Sequence, residues 1–188
     1  MEKRTFGKTG LSVGILGFGG AEIGFRVDTT EKIVEKLLME AIDAGLNVID
    51  TAECYDNSEE LIGSVLGKRR NDIYLFTKCG HAKDYTDENW TAVHLEKTID
   101  RSLKRLKTDY LDLVQLHSCS KDILVKGEAI EVLQKAKKVG KTRFIGYSGD
   151  STDAAYAIKS GAFDTFQTSI NIADQEALEL TLPLAIEK

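Results

Sequence analysis

Apolar residues in this chain fall into short, nearly unbroken runs, separated by longer stretches in which they recur every third or fourth position. The runs at 47–50, 73–78, 111–117, 142–148 and 165–170 read as strands, and an earlier one at 13–18 ends in Gly19-Gly20. The stretches between them read as helices. One starts at Glu31 and carries Ile33, Leu37, Leu38, Ala41 and Ile42 at helical spacing, with Thr29 or Thr30 as its cap. Others are expected at 58–66, 91–106, 128–139 and 151–160, and a last one from about residue 174 towards the end. Gly45, Gly67, Gly140 and Gly161 stand where helices stop. Ahead of all this, Arg4 to Phe6 and Leu11 to Val13 flank Gly7-Lys-Thr-Gly10, which predicts a short β-hairpin.

Six successive strand–helix units without an internal linker predict one α/β domain over residues 1–188. The strands are almost wholly apolar, which suits a parallel sheet covered on both faces. Chain rhythm leaves two architectures open, an open doubly wound sheet and a (β/α)₈ barrel. The glycines after the first strand favour neither. Gly17-Phe-Gly19-Gly20-Ala-Glu22 sits where a dinucleotide fingerprint would, but Glu22 occupies the place of its third glycine and would turn negative charge towards a pyrophosphate.

Charge narrows the choice of partners. The formal net charge of −5 is spread along the chain with no basic patch, so no nucleic-acid partner is expected. No apolar run approaches the roughly 18 residues that span a bilayer, and Met1-Glu-Lys-Arg-Thr opens without the apolar run of a signal peptide. No membrane partner is expected either, and the reading is of a soluble, cytoplasmic protein. The cysteines Cys54, Cys79 and Cys119, with His81 near them, lack the spacing of a zinc or iron–sulfur motif, so no metal site is expected.

The candidate chemistry lies at the carboxyl ends of the strands, where parallel α/β proteins keep their active sites. Asp50, Lys78 and His117 each end a successive apolar run, and Tyr55 follows in the loop beyond Asp50. A phenol near pKa 10 is a poor acid at neutral pH unless its anion is stabilised. A lysine ammonium does that, and a carboxylate holds the lysine charged. A neutral imidazole can donate a hydrogen bond to a substrate oxygen. Together these groups suit protonation of a carbonyl oxygen as hydride arrives at its carbon. No side chain supplies hydride, so a nicotinamide or flavin cofactor is required.

With these residues in place, the sequence resembles the aldo-keto reductase family. The resemblance runs through Phe6-Gly-Lys-Thr-Gly-Leu-Ser-Val, Leu16-Gly-Phe-Gly-Gly and Asn47-Val-Ile-Asp-Thr-Ala-Glu-Cys-Tyr55 with Ser58-Glu-Glu-Leu-Ile-Gly63. It continues in Leu75-Phe-Thr-Lys78, in 102–117 ending Leu-Val-Gln-Leu-His117, and in Gly140-Lys-Thr-Arg-Phe-Ile-Gly-Tyr-Ser148. It implies a (β/α)₈ TIM-type barrel with an N-terminal hairpin, and NADPH-dependent reduction of an aldehyde or ketone, with NADH as the alternative cofactor. The implied catalytic tetrad is Asp50, Tyr55, Lys78 and His117. The implied cofactor contacts are Gly20, Asp50, Ser148 and Gln167, while Gly149 replaces an asparagine that the family carries after the serine.

About six of the eight units are present, where such a barrel takes about 250 residues. The loops after strands seven and eight, which the resemblance makes the phosphate-binding part, have no counterpart. The length is read in three ways: a fragment of a longer reductase, a sheet completed by self-association with a second copy, or a short relative without turnover. The alternative to a small-carbonyl reductase is therefore a non-catalytic nucleotide-binding or interaction module. Among the remaining residues, His94 and the charged run 101–107 are expected on a solvated helix face, and Trp90 either lines a cleft or staples the next helix.

Overall fold

The computed structural model describes residues 1–81 and 90–188. A hairpin of β1 (Lys3–Thr5) and β2 (Ser12–Gly14) precedes six parallel strands: β3 (Phe18–Gly19), β4 (Val48–Asp50), β5 (Tyr74–Cys79), β6 (Leu111–His117), β7 (Thr142–Ser148) and β8 (Thr165–Gln167). Their order in the sheet is their order in the chain, β3-β4-β5-β6-β7-β8. This is a half-barrel of parallel strands with a separate N-terminal hairpin, and it resolves the architectural choice in favour of the barrel type.

The principal helices are α2 (Glu31–Asp43), α3 (Ser58–Leu66), α4 (Ala92–Arg105), α6 (Glu128–Lys138) and α7 (Ser151–Ser160). Short helices α1 (Ala21–Phe25) and α5 (Lys121–Lys126) were not anticipated, their apolar positions being too few to show a period. Thr30 caps α2 by accepting from the Ile33 N–H, and Thr91 caps α4 in the same way through the His94 N–H.

Three expected elements differ. The run 13–18 is not one strand. Gly14 donates its N–H to Asn47 Oδ1, the chain bends through exposed Ile15 and Leu16, and β3 keeps only Phe18 and Gly19. The final helix is two pieces, α8 (Glu176–Leu180) and α9 (Leu182–Glu187), joined at Thr181, because Pro183 has no N–H to continue the first. The expected strand 165–170 likewise stops at Gln167.

Two apolar clusters hold the sheet. Outward side chains such as Ile49, Leu75, Val114, Leu116, Ile145 and Tyr147 pack against the helices with Val34, Leu38, Ile62, Leu95, Ile99 and Leu133. Inside the curve, Phe76 and Leu113 join Leu11, with Phe6, Val13, Val48, Tyr74 and Phe144 around them, so the hairpin plugs the amino-terminal end of the half-barrel. That end is also tied by the buried Asp112, which accepts from Arg70, from Arg143 and from the Leu75 N–H at 3.0, 2.7 and 2.9 Å. The plug leaves the carboxyl end of the sheet as the open mouth. Among the described residues no helix is long and apolar enough to cross a membrane.

Candidate active site

β4 delivers Asp50, β5 Lys78 and β6 His117 to that mouth, each on an inward-facing position of its strand. Lys78 is 3% exposed, a burial that an ammonium tolerates only with partners. It has them: Nζ donates to Asp50 Oδ2 at 2.6 Å and to the Thr51 carbonyl at 3.0 Å. The same Nζ lies 5.2 Å from the centroid of the Tyr55 ring.

Tyr55 is held by the tight segment after β4. The Glu53 N–H donates to the Lys78 carbonyl at 3.1 Å, and the Tyr55 N–H to the Ala52 carbonyl at 3.1 Å. α1 presses on this segment from the other side, where Gly24 comes so close that a Cβ on it would lie 2.0 Å from the Tyr55 carbonyl oxygen. His117 meets the Tyr55 ring edge-on, with centroids 5.7 Å apart, and Cys54 Sγ lies 3.5 Å from His117 Nδ1. Burial, with smaller contributions from Lys78 and His81, pushes the His117 imidazole down to about 3, so it is neutral at any working pH. The four residues of the expected tetrad are thus brought together around one mouth.

Of the residues expected at a cofactor, Ser148 ends β7 in register with His117 and with Gln167 of β8. Gln167 Nε2 donates to Asp50 Oδ2 at 3.3 Å, and its Oε1 accepts from Gln115 Nε2 at 2.8 Å. Gly20 follows β3 with both backbone groups engaged: its N–H donates to the Asp50 carbonyl at 2.7 Å and its carbonyl accepts from Ser58 Oγ at 2.7 Å. Asp50 Oδ1 is buried without a hydrogen-bond partner among the described residues. A buried, unshared carboxylate oxygen at this mouth fits a ligand hydroxyl, and the amide and hydroxyl of Gln167 and Ser148 fit a carboxamide, so the donor set suits a nicotinamide riboside. No group of three or more metal-type ligands occurs among the described residues.

Several residues that shape the site were not anticipated. Gln115 shares the inward face of β6 with His117 at period two, a signal the apolar run Leu-Val-Gln-Leu-His obscured. The run 101–107 is not a purely solvated face. Arg101 pairs with the buried Glu53, and Arg105 donates to the Glu53 carbonyl at 3.3 Å while pairing with Glu59 at 3.6 Å and Glu60 at 2.7 Å. Glu59 also accepts from Thr77 Oγ1 at 2.8 Å, and burial pushes its carboxyl above the ordinary range. These carboxylates sit on the back of the Tyr55 loop, and their charge draws the two arginines inward. His94 is half-buried rather than solvated, with Nε2 shielded from solvent. Trp90 is packed against Gly80 and the His81 ring, whose centroid is 5.5 Å away.

Residues 14–182 match the sequence profile described as Aldo/keto reductase family. The chain belongs to that family. Among relatives, the uncharacterized oxidoreductase YqkF of Bacillus subtilis is 36% identical over 154 residues, covering 79% of this chain and 49% of its own. L-galactose dehydrogenase of Arabidopsis thaliana is 37% identical over 157 residues, with the same coverage of 79% and 49%. The chain therefore spans about half the length of these curated relatives. An aldo-keto reductase of Klebsiella pneumoniae, solved in complex with NADPH, superposes with a TM-score of 0.82 at 28% identity, covering all of this chain and 65% of that one.

Proposed function

We propose that this chain reduces an aldehyde or ketone to an alcohol, with NADPH as reductant and Tyr55 as the proton donor. One observation carries the reading: a buried Lys78 ammonium, fixed by Asp50 at 2.6 Å, lies over the Tyr55 ring beside a neutral His117. When bound, a reduced nicotinamide supplies the hydride. Tyr55 gives its proton to the substrate oxygen as negative charge develops there, and Lys78 stabilises the phenolate left behind. Asp50 keeps Lys78 charged and in place, and the Thr51 carbonyl holds the ammonium from a second side. His117, being neutral, donates a hydrogen bond to the substrate oxygen without competing as an acid. Ser148 and Gln167 would hold the carboxamide and Asp50 Oδ1 a ribose hydroxyl, while Gly20 serves by close approach because its polar groups are already used.

Tyr55→Phe tests the acid. Turnover of a small aldehyde with NADPH is expected to fall by roughly 10²- to 10⁴-fold, the usual contribution of a positioned acid. NADPH binding, followed by quenching of the single tryptophan Trp90, should persist. Wild-type-like turnover by the variant overturns the assignment. Parallel titrations with NADPH and NADH decide between the two cofactors. The second reading is nucleotide binding without turnover. NADPH quenching with no turnover across an aldehyde panel would establish that reading instead.

A further inference from the structure

We propose that the Cys54 thiol sets the tautomer of His117, donating its S–H to Nδ1 so that the imidazole carries its proton on Nε2. The inference rests on the reductase reading only for its catalytic consequence. The geometry is independent of it. Cys54 stands immediately before Tyr55 in the segment that the Glu53–Lys78 and Tyr55–Ala52 backbone bonds make rigid. Its half-buried Sγ lies 3.5 Å from His117 Nδ1, within hydrogen-bond reach for sulfur.

The direction of that bond follows from the two groups. Burial, with Glu53 adding to it, pushes the thiol up to about 11, and the imidazole is held down to about 3, so both partners are neutral through the working range. A thiol is a weak donor and a weaker acceptor, whereas an unprotonated imidazole nitrogen accepts well. The favoured arrangement is S–H to Nδ1. A neutral imidazole whose Nδ1 accepts must carry hydrogen on Nε2, since the partner of one ring nitrogen fixes the state of the other. That leaves Nε2–H as the donor which a carbonyl oxygen at the mouth requires. Cys54 is thus a positioning residue acting through His117.

Long-range ¹H–¹⁵N correlation spectra of the ¹⁵N-labelled chain distinguish the two tautomers directly. The chain has three histidines, and the His117 signals are assigned by their loss in His117→Gln. The wild type is expected to give a single Nε2–H pattern for His117 from pH 5 to 8. Cys54→Ala is expected to give a mixed pattern, and Cys54→Ser to restore the single one, because a hydroxyl also donates. Should the alanine variant unfold, Cys54→Val keeps an apolar side chain of similar size and is expected to show the same mixture. Alongside, kcat/KM for an aldehyde should fall roughly five- to tenfold in Cys54→Ala, recover in Cys54→Ser, and leave NADPH affinity unchanged. An Nδ1–H pattern in the wild type, or an unchanged Nε2–H pattern in the alanine variant, overturns the proposal. Absence of turnover in the wild type would refute the reductase reading while the spectra still decide the tautomer.

Discussion

On the outward face of the sheet, Ile49, Leu75, Val114, Leu116, Ile145 and Tyr147 are each exposed by 2% or less, sealed by helices that every strand–helix unit brings with it. On the inward face of the same strands, apolar residues reach only partway up. Above Phe76 and Leu113 come Asp50, Lys78, Gln115, His117, Ser148 and Gln167, all polar and linked to one another by hydrogen bonds or by strand register. The outward layer is assembled locally, each strand being covered by the helices next to it in the chain. The inward mouth depends on strands far apart in sequence. Stability and chemistry are therefore separable by face, even though the residues alternate one by one along each strand.

The largest expected effect tests the outward face. Leu75→Ala removes a fully buried side chain and should lower unfolding free energy by about 2–5 kcal/mol in urea titrations, while turnover per folded molecule stays close to wild type. A loss of turnover matching the loss of the tetrad would erase the distinction between faces. An intermediate effect is expected at Gly24→Ala. Its Cβ would collide with the Tyr55 carbonyl, so stability should drop by about 1–3 kcal/mol, and kcat for aldehyde reduction should fall at least roughly tenfold as the Tyr55 loop shifts. Here the two readouts should move together, because α1 touches the mouth directly.

The last effect is a slope. The His117 imidazole titrates near 3 when folded and near 6.5 when unfolded, so between those values the unfolded chain binds the extra proton. Its contribution to stability is complete above about pH 6.5 and is lost as pH falls towards 3, by at most about 1.4 kcal/mol per pH unit. Replacing His117 with Gln should flatten that part of the urea-midpoint profile. An unchanged profile would mean that the inward face is wetter than its burial indicates.

The outward layer was largely legible in the sequence, because helical period and apolar runs are what it is made of. The expected helix at 58–66 and strand at 142–148 coincide with α3 and β7. The plug and the loops were less so. Ile15 and Leu16 extend an apolar run yet lie exposed, since the Asn47 side chain, distant in sequence, takes the Gly14 N–H and turns the chain. At the mouth, Asp50, Lys78 and His117 could be placed because each ends a strand, and Tyr55 because it follows Asp50 in the next loop. Gln115, Arg101 and Arg105 were not. An amide inside an apolar run and arginines on a charged helix look like background until the fold shows Gln167 beside the one and Glu53 beside the others.

The bond between Gln167 and Asp50 measures the bending of the whole sheet. Four strand spacings separate β8 from β4, which laid flat would be a chord of about 19 Å. Their side chains nonetheless meet at 3.3 Å. The arc is thus tight enough for the last strand to lean on the carboxylate that holds Lys78, and anything that flattens the sheet pulls that carboxylate and Gln167 apart. Curvature, which no single residue encodes, becomes a local electrostatic condition at the lysine.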